Sequence, residues 1–153
     1  MEKWFVYFLG LFDRVKDATA AEALERLAVP VRLRERVQMA RIRSREVLFL
    51  FYKEPQVSRS RIHDLLVPLD TEALLLMMAK SKQERAKKYI SLYLTHLRNV
   101  KVTLTGDDLK LLGIPPGPKY RRILRELLDA KLDGLVSSHD EEIEFVKKKS
   151  VAI

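Results

Sequence analysis

The side chains of this sequence that could do chemistry are few, and spacing sorts them. Three acidic pairs stand two residues apart: Asp70/Glu72, Asp140/Glu142 and Glu142/Glu144. On a strand such a pair faces one side and can hold the metal ions that clamp a transferring phosphate. Here all three fall on segments of helical periodicity, the first two at N-termini, where carboxylates cap or complement the helix dipole. No catalytic residue and no metal site is assigned to them. His63, His96 and His139 lie 33 and 43 residues apart, without ligand spacing, and read as structural or surface histidines. No Gly-x-Gly-x-x-Gly, Walker loop or Gly-x-Ser-x-Gly is present. The chain has no cysteine, which excludes disulfides and thiolate metal sites and is compatible with a reducing, cytoplasmic compartment.

What remains is cationic. Twenty-nine Lys and Arg against 21 Asp and Glu give the 153 residues a formal charge of +8. Residues 1–104 hold 20 basic and 12 acidic side chains, whereas 105–153 hold nine of each. Residues 31–61 carry nine basic and three acidic residues, and 80–101 carry seven and one. On the first of these stretches Arg32, Arg36 and Arg43 flank one side of an apolar stripe, and Arg34, Arg41 and Arg45 the other. Any one of them can be a solvated side chain whose stem covers the core edge. As a set they predict a polyanion-binding face, because such density repels itself unless phosphates or carboxylates arrive. In the second part Lys119, Arg121, Arg122 and Arg125 follow directly on Gly117, with no acid between them. A glycine turn feeding a helix N-terminus presents backbone N–H groups to a phosphate. Helix, glycine-containing turn and basic helix is the order of a helix-hairpin-helix clamp; an αα-hairpin with an exposed basic end has the same order.

The elements that must position these residues are helical. Hydrophobic content of 47% supports a sizeable core, 33% charged residues mark a soluble surface, and five Gly with six Pro argue against an all-β sandwich. The apolar run 4–12 predicts a buried first helix. It is far short of the roughly 20 apolar residues of a membrane span, and the charges before and after it oppose a signal peptide. Thr19 to Glu22 has capping-box spacing, and Leu24, Leu27 and Ala28 follow as a stripe. Leu33, Val37, Ala40, Ser44, Val47 and Phe51 line one face of a helix that stops before Pro55. A short helix after Ser58 or Ser60, a central apolar one capped by Asp70 or Thr71, and an amphipathic one over 82–98 complete the first part. Residues 100–104 alternate like a strand but have nothing to pair with, so they read as an extended connector. Beyond it, Thr105 or Asp107 caps a helix that Gly113 ends, 119–132 forms a longer helix closed by Gly134, and Ser138 to Glu141 caps the last. The expectation is an all-α protein of about eight helices in two packed sub-domains, a body over 1–104 and a tail over 105–153.

An ordered string of about 30 residues carries a resemblance: Leu104-Thr105-Gly106-Asp107-Asp108-Leu109, Leu112-Gly113-Ile114-Pro115-Pro116-Gly117-Pro118-Lys119-Tyr120, Ile123-Leu124, and Ala130-Lys131-Leu132-Asp133-Gly134. It resembles the tail of bacterial tRNA nucleotidyltransferases, the CCA-adding and A-adding enzymes of the poly(A) polymerase family. Ser60-Arg61-Ile62-His63-Asp64-Leu65-Leu66, Glu72-Ala73-Leu74-Leu75-Leu76 and residues 89–98 resemble the family's helical body more loosely. Together the resemblance spans roughly residues 30–149. At Arg121 many relatives carry glycine; the Tyr120-Arg121-Arg122 version resembles the branch with extra N-terminal regulatory domains.

The resemblance implies a modular enzyme in which body and tail hold the tRNA while a catalytic head and a nucleotide-selecting neck do the chemistry, with Mg2+ and ATP or CTP. The family's Gly-Ser dipeptide and the neck's Glu-Asp-x-x-Arg signature are both missing here. The chain therefore resembles a body-plus-tail fragment, or a stand-alone protein without its head. It should be inactive alone and need no cofactor of its own. The partners implied are tRNA and the parent's head and neck, with no membrane. The residues expected to touch RNA are Gly117, Lys119, Tyr120, Arg121, Arg122 and Arg125 in the tail, and Arg41, Arg45, Lys87 and Lys88 in the body. Tyr89 and Tyr93 could stack on bases but at spacing four fit the inside of a bundle better. The alternatives are a helix-hairpin-helix DNA-binding module and a helical protein-interaction scaffold.

Overall fold

The computed structural model describes residues 1–151. Among them the chain forms α1 (Lys3–Phe12), α2 (Asp17–Arg26), α3 (Val31–Lys53), α4 (Arg59–Leu66), α5 (Thr71–Lys80), α6 (Glu84–Thr95), α7 (Gly106–Leu111), α8 (Pro118–Leu132) and α9 (His139–Val151), with a 3-10 turn at Leu97–Asn99. The protein is all-α; among the described residues there is no strand, and 100–104 run as an irregular connector. No helix among them is long and apolar enough to cross a membrane.

Two compact units are present. One comprises Met1–Val57 with Asp64–Leu92, the other Ser58–His63 with the chain from Tyr93 on. The expected division at 104 followed the 100–104 connector; in the structure α4 and α6 are divided between the units, and Val102 and Leu104 pack in the core of the second.

In the first unit the expected stripe of α3 is buried at Val37, Ala40, Ser44, Val47 and Phe51. α5 packs against α1 and α3, so the apolar segment is central as its all-round hydrophobicity requires. Asp70 is its N-cap and accepts the Ala73 amide at 2.9 Å. α1 departs from expectation. It buries Phe5, Leu9 and Phe12 but leaves Trp4, Tyr7 and Leu11 exposed, so it is covered on one side only. An unbroken apolar run cannot by itself say how many sides find partners. The Thr19 capping box also fails: α2 already begins at Asp17, with Lys16 as N-cap and no side-chain cap. Leu27, at that helix's C-cap, is exposed rather than part of the stripe.

The second unit closes over Leu104, Leu109, Ile114, Ile123, Leu127, Ala130, Val136 and Val146. Its termini follow the sequence signals closely. Thr105 and Asp108 form a reciprocal capping box on α7. Ser138 and Glu141 do the same on α9, each accepting the other's backbone N–H at 3.2 Å. At Gly113 the backbone turns left-handed (φ 80°), and the Ile114 and Gly113 amides donate to the Leu109 and Lys110 carbonyls at 3.1 and 3.0 Å. That is the Schellman closure, which satisfies the last carbonyls of α7.

Candidate nucleic-acid interface

The hairpin of α7, the 113–117 turn and α8 is built from inside. Tyr120 donates its hydroxyl to the Ile114 carbonyl at 2.7 Å, and its ring packs against Gly106. The aromatic expected to stack on bases is therefore half-buried in the unit's core and ties the turn to the helix. Gly117 is the N-cap residue of α8, exposed and in extended backbone. Pro118 follows at the first helical position and has no N–H, and the Tyr120 amide donates to the Gly117 carbonyl at 3.0 Å. The amides of Gly117 and Lys119 are what that end can offer an anion.

With Ile123, Leu127 and Ala130 turned into the core, the opposite side of α8 carries Arg121, Arg122 and Arg125, while Lys119, one turn before Ile123, is exposed at the start of the helix. Arg122 and Arg125 lie 3.9 and 3.3 Å from Glu126 and Asp129, one turn further on. The Arg122 pair, at 3.9 Å between partly exposed groups, is weak and screened. Lys119 and Arg121 have no carboxylate partner among the described residues. Lys149 of α9 reaches Glu126 at 2.8 Å, and that hydrogen bond, with the Lys149 and Arg122 charges, holds the Glu126 carboxyl below its ordinary value. Lys119 also borders a small cleft of about 160 Å³ with Gly113, Ile114, Pro115, Ile123 and Ser150.

The body candidates fare differently. Arg41 is buried, donating to the Val15 carbonyl and lying 3.3 Å from Asp17. It is committed to the interior and is not a phosphate contact. Arg45 is exposed and paired with Asp17 at 2.5 Å; its hydrogen bond holds the Asp17 carboxyl below the usual range. Lys87 pairs with Glu84 at 2.8 Å, and Lys88 is exposed on α6.

The expected polyanion face of α3 is largely neutralised from within. Arg34 lies 3.8 Å from Glu25, and Arg43 3.3 Å from Glu46. Arg36 meets Glu2 at 2.6 Å, Asp70 at 2.9 Å and Glu72 at 3.4 Å, and covers the Phe5 ring at 3.9 Å. The carboxylates that such density demands come from the same chain. Apart from Glu46, which is one turn away on α3 itself, the partners lie on other segments of the chain and could not be read from this one.

Each acidic pair has at least one member tied into the fold, through Glu72 or Glu142. Glu72 accepts the Glu2 amide at 2.6 Å, a bond that leads in holding its carboxyl below the ordinary value. Glu142 is fully buried under Thr103, Leu104 and Lys131. No group of His, Asp and Glu among the described residues is placed to hold a metal ion. His139 meets the Thr103 hydroxyl at 2.9 Å, His96 that of Thr95 at 2.6 Å, and the His63 ring lies against Tyr93. Tyr89 packs edge-on against Phe51, 5.2 Å between centroids, and Tyr93 is buried. Sequence reasoning missed Arg85, whose guanidinium closes the end of α3 on the Phe51, Tyr52 and Pro55 carbonyls at 3.2, 3.4 and 3.2 Å. Its only signal was membership of the 80–101 basic stretch.

Comparison with known proteins bears on the same residues. No family profile matches the chain, and no solved structure matches it. The chain is 39% identical, over 147 residues, to the A-adding tRNA nucleotidyltransferase of Geobacter sulfurreducens. The alignment covers 94% of this chain and 17% of that enzyme, so the chain spans about a sixth of the length of the curated relative it matches and is similar to a part of it.

Proposed function

We propose that this chain is the tRNA-holding C-terminal region of a tRNA nucleotidyltransferase that adds A, or CCA, to the tRNA 3′ end. The observation that carries the proposal is the 39% identity over 94% of the chain to an enzyme of that activity. The exposed basic end of α8 supports it from the geometry, since Arg121, Arg122 and Arg125 leave the helix opposite its buried side and Lys119 is exposed at its start. In this proposal α8 lies on phosphates of the stacked acceptor and T arms. A-form duplex suits such contacts, because its deep major groove is closed to side chains and it is read by shape and backbone. The grip fixes the distance to the 3′ end for a catalytic head and neck that bring Mg2+ and the nucleotide. The chain alone adds no nucleotide. Of the body candidates, Arg45, Lys87 and Lys88 remain as secondary contacts.

The test is fluorescence anisotropy of a labelled acceptor–T-arm minihelix titrated with the 153-residue chain over a series of salt concentrations. Binding through a few phosphates lowers log affinity linearly with log salt, at roughly 0.7–0.9 per phosphate neutralised. Affinity independent of salt, or tighter binding to a DNA hairpin than to the minihelix, overturns the proposal.

A further inference from the structure

The first unit carries an open groove of about 660 Å³ that shares only Arg45 with the contacts proposed above. It runs between the α1–α2 turn, the outer side of α3 and the C-terminal end of α5, and its walls include Arg14, Arg45, Phe49, Tyr52, Lys80 and Lys82. Phe49 is 63% exposed, although its neighbours Leu48 and Phe51 are buried. The core needs of α3 are therefore met without it. Single exposed apolar residues are ordinary, but this one has Tyr52 one turn away, on the same groove, and four cations around it.

Part of the wall is already positioned. The Tyr52 and Ser81 hydroxyls lie 3.2 Å apart, Lys80 is paired with Asp13 at 2.6 Å, and Arg45 with Asp17 at 2.5 Å. Arg14 and Lys82 are exposed and have no carboxylate partner among the described residues. A basic patch alone would accept any polyanion, and an apolar patch alone any apolar surface. Flat aromatic faces beside uncommitted cations select a ligand that is both planar and anionic, as a base with its phosphate is.

From this we infer that the groove binds an unpaired nucleotide, its base against Phe49 and Tyr52 and its phosphate at Arg14 and Lys82. That chemistry is shared by a single-stranded RNA segment and by a free nucleotide. No residue of α8 takes part, so the inference stands apart from the tail proposal.

The experiment measures anisotropy of fluorescein-labelled hexa-adenylate RNA, of an abasic ribose-phosphate hexamer, and of N-methylanthraniloyl-AMP with the full chain. Phe49→Ala, at an exposed position, should weaken hexa-adenylate binding at least fivefold and abasic binding less than twofold. Arg14→Ala with Lys82→Ala should weaken both hexamers. Comparable binding of the AMP derivative identifies a free nucleotide as the ligand; binding of the hexamer alone identifies a strand. The inference falls if neither probe binds, if Phe49→Ala changes nothing, or if it weakens both hexamers equally. It also falls if hexaglutamate displaces the RNA as well as unlabelled RNA does. Loss of hexamer binding in Arg121→Glu with Arg122→Glu would place that binding on the tail and overturn the groove while leaving the tail proposal standing.

Discussion

Asp133 holds the start of α4 through Ser60, 73 residues away: one carboxylate oxygen accepts the Ser60 amide at 2.9 Å, the other its hydroxyl at 2.7 Å. Asp133 is itself the C-cap residue of α8, so one side chain joins two helix ends. The pairing lies within the second unit, to which residues 58–63 belong although the 29 residues Asp64–Leu92 of the first unit separate them in sequence from the rest of it. Asp133→Ala should lower stability by about 1 kcal/mol, the typical cost of losing a helix N-terminal partner. Urea unfolding followed by circular dichroism measures it; an unchanged midpoint would show that the Asp133 pairing adds nothing to the stability of α4.

Glu142 gives a pH dependence. Burial pushes its carboxyl up, but the bonds from Lys131, from the Thr103 hydroxyl and amide, and from the Leu104 amide outweigh burial, and the group is held below its ordinary value. A carboxyl depressed in the folded state contributes stability that is fully present above its unfolded value, near 4.3, and is lost as pH falls through the lower folded value. Glu142→Gln should cost about 3 kcal/mol at neutral pH, because Lys131 is left without its buried partner. The gap between variant and parent should then narrow as pH falls below about 4. A gap constant with pH would mean that the charge of Glu142 contributes nothing.

The basic face of α8 makes the RNA proposal specific. Arg121→Glu with Arg122→Glu should weaken minihelix binding more than tenfold without unfolding, since both side chains are exposed and Arg122 has only a loose contact, 3.9 Å, with the half-buried Glu126. Each lost phosphate contact also flattens the salt dependence. A normal circular-dichroism spectrum with unchanged affinity removes α8 from the interface.

Two glycines of the hairpin should part company. Gly113 has φ 80°, where a side chain is strained, and Gly113→Ala should cost roughly 1–2 kcal/mol. Gly117 is in extended backbone that any residue adopts, and a Cβ there would meet nothing within 4 Å. Gly117→Ala should leave the melting temperature nearly unchanged, so any effect on RNA binding reports the close approach of a ligand. A large loss of stability at Gly117 would contradict this division.

Much of the architecture was legible because it rests on neighbours in sequence. The α3 stripe, the Asp70 cap, the Thr105 and Ser138 boxes and the Gly113 and Gly134 stops each follow from residues within a turn or two, and each is present. The local signal failed where a cap had a competitor: Thr19 lies inside α2, whose start moved to Asp17. The basic face of α8 was equally legible, since its exposed cations and buried aliphatics alternate along one helix.

The sequence by itself determined an all-helical chain, its caps and stops, and a charge surplus that asks for anions. Only the tertiary structure decided which cations remain to meet them. Arg36 and Arg41 are answered by carboxylates and a carbonyl from distant segments, Tyr120 is tied to the Ile114 carbonyl, and Phe49 is left outside with Arg14 and Lys82. The reason is physical: capping and periodicity act over a few residues, whereas ion pairing and burial depend on which distant segments the fold brings within a few ångströms.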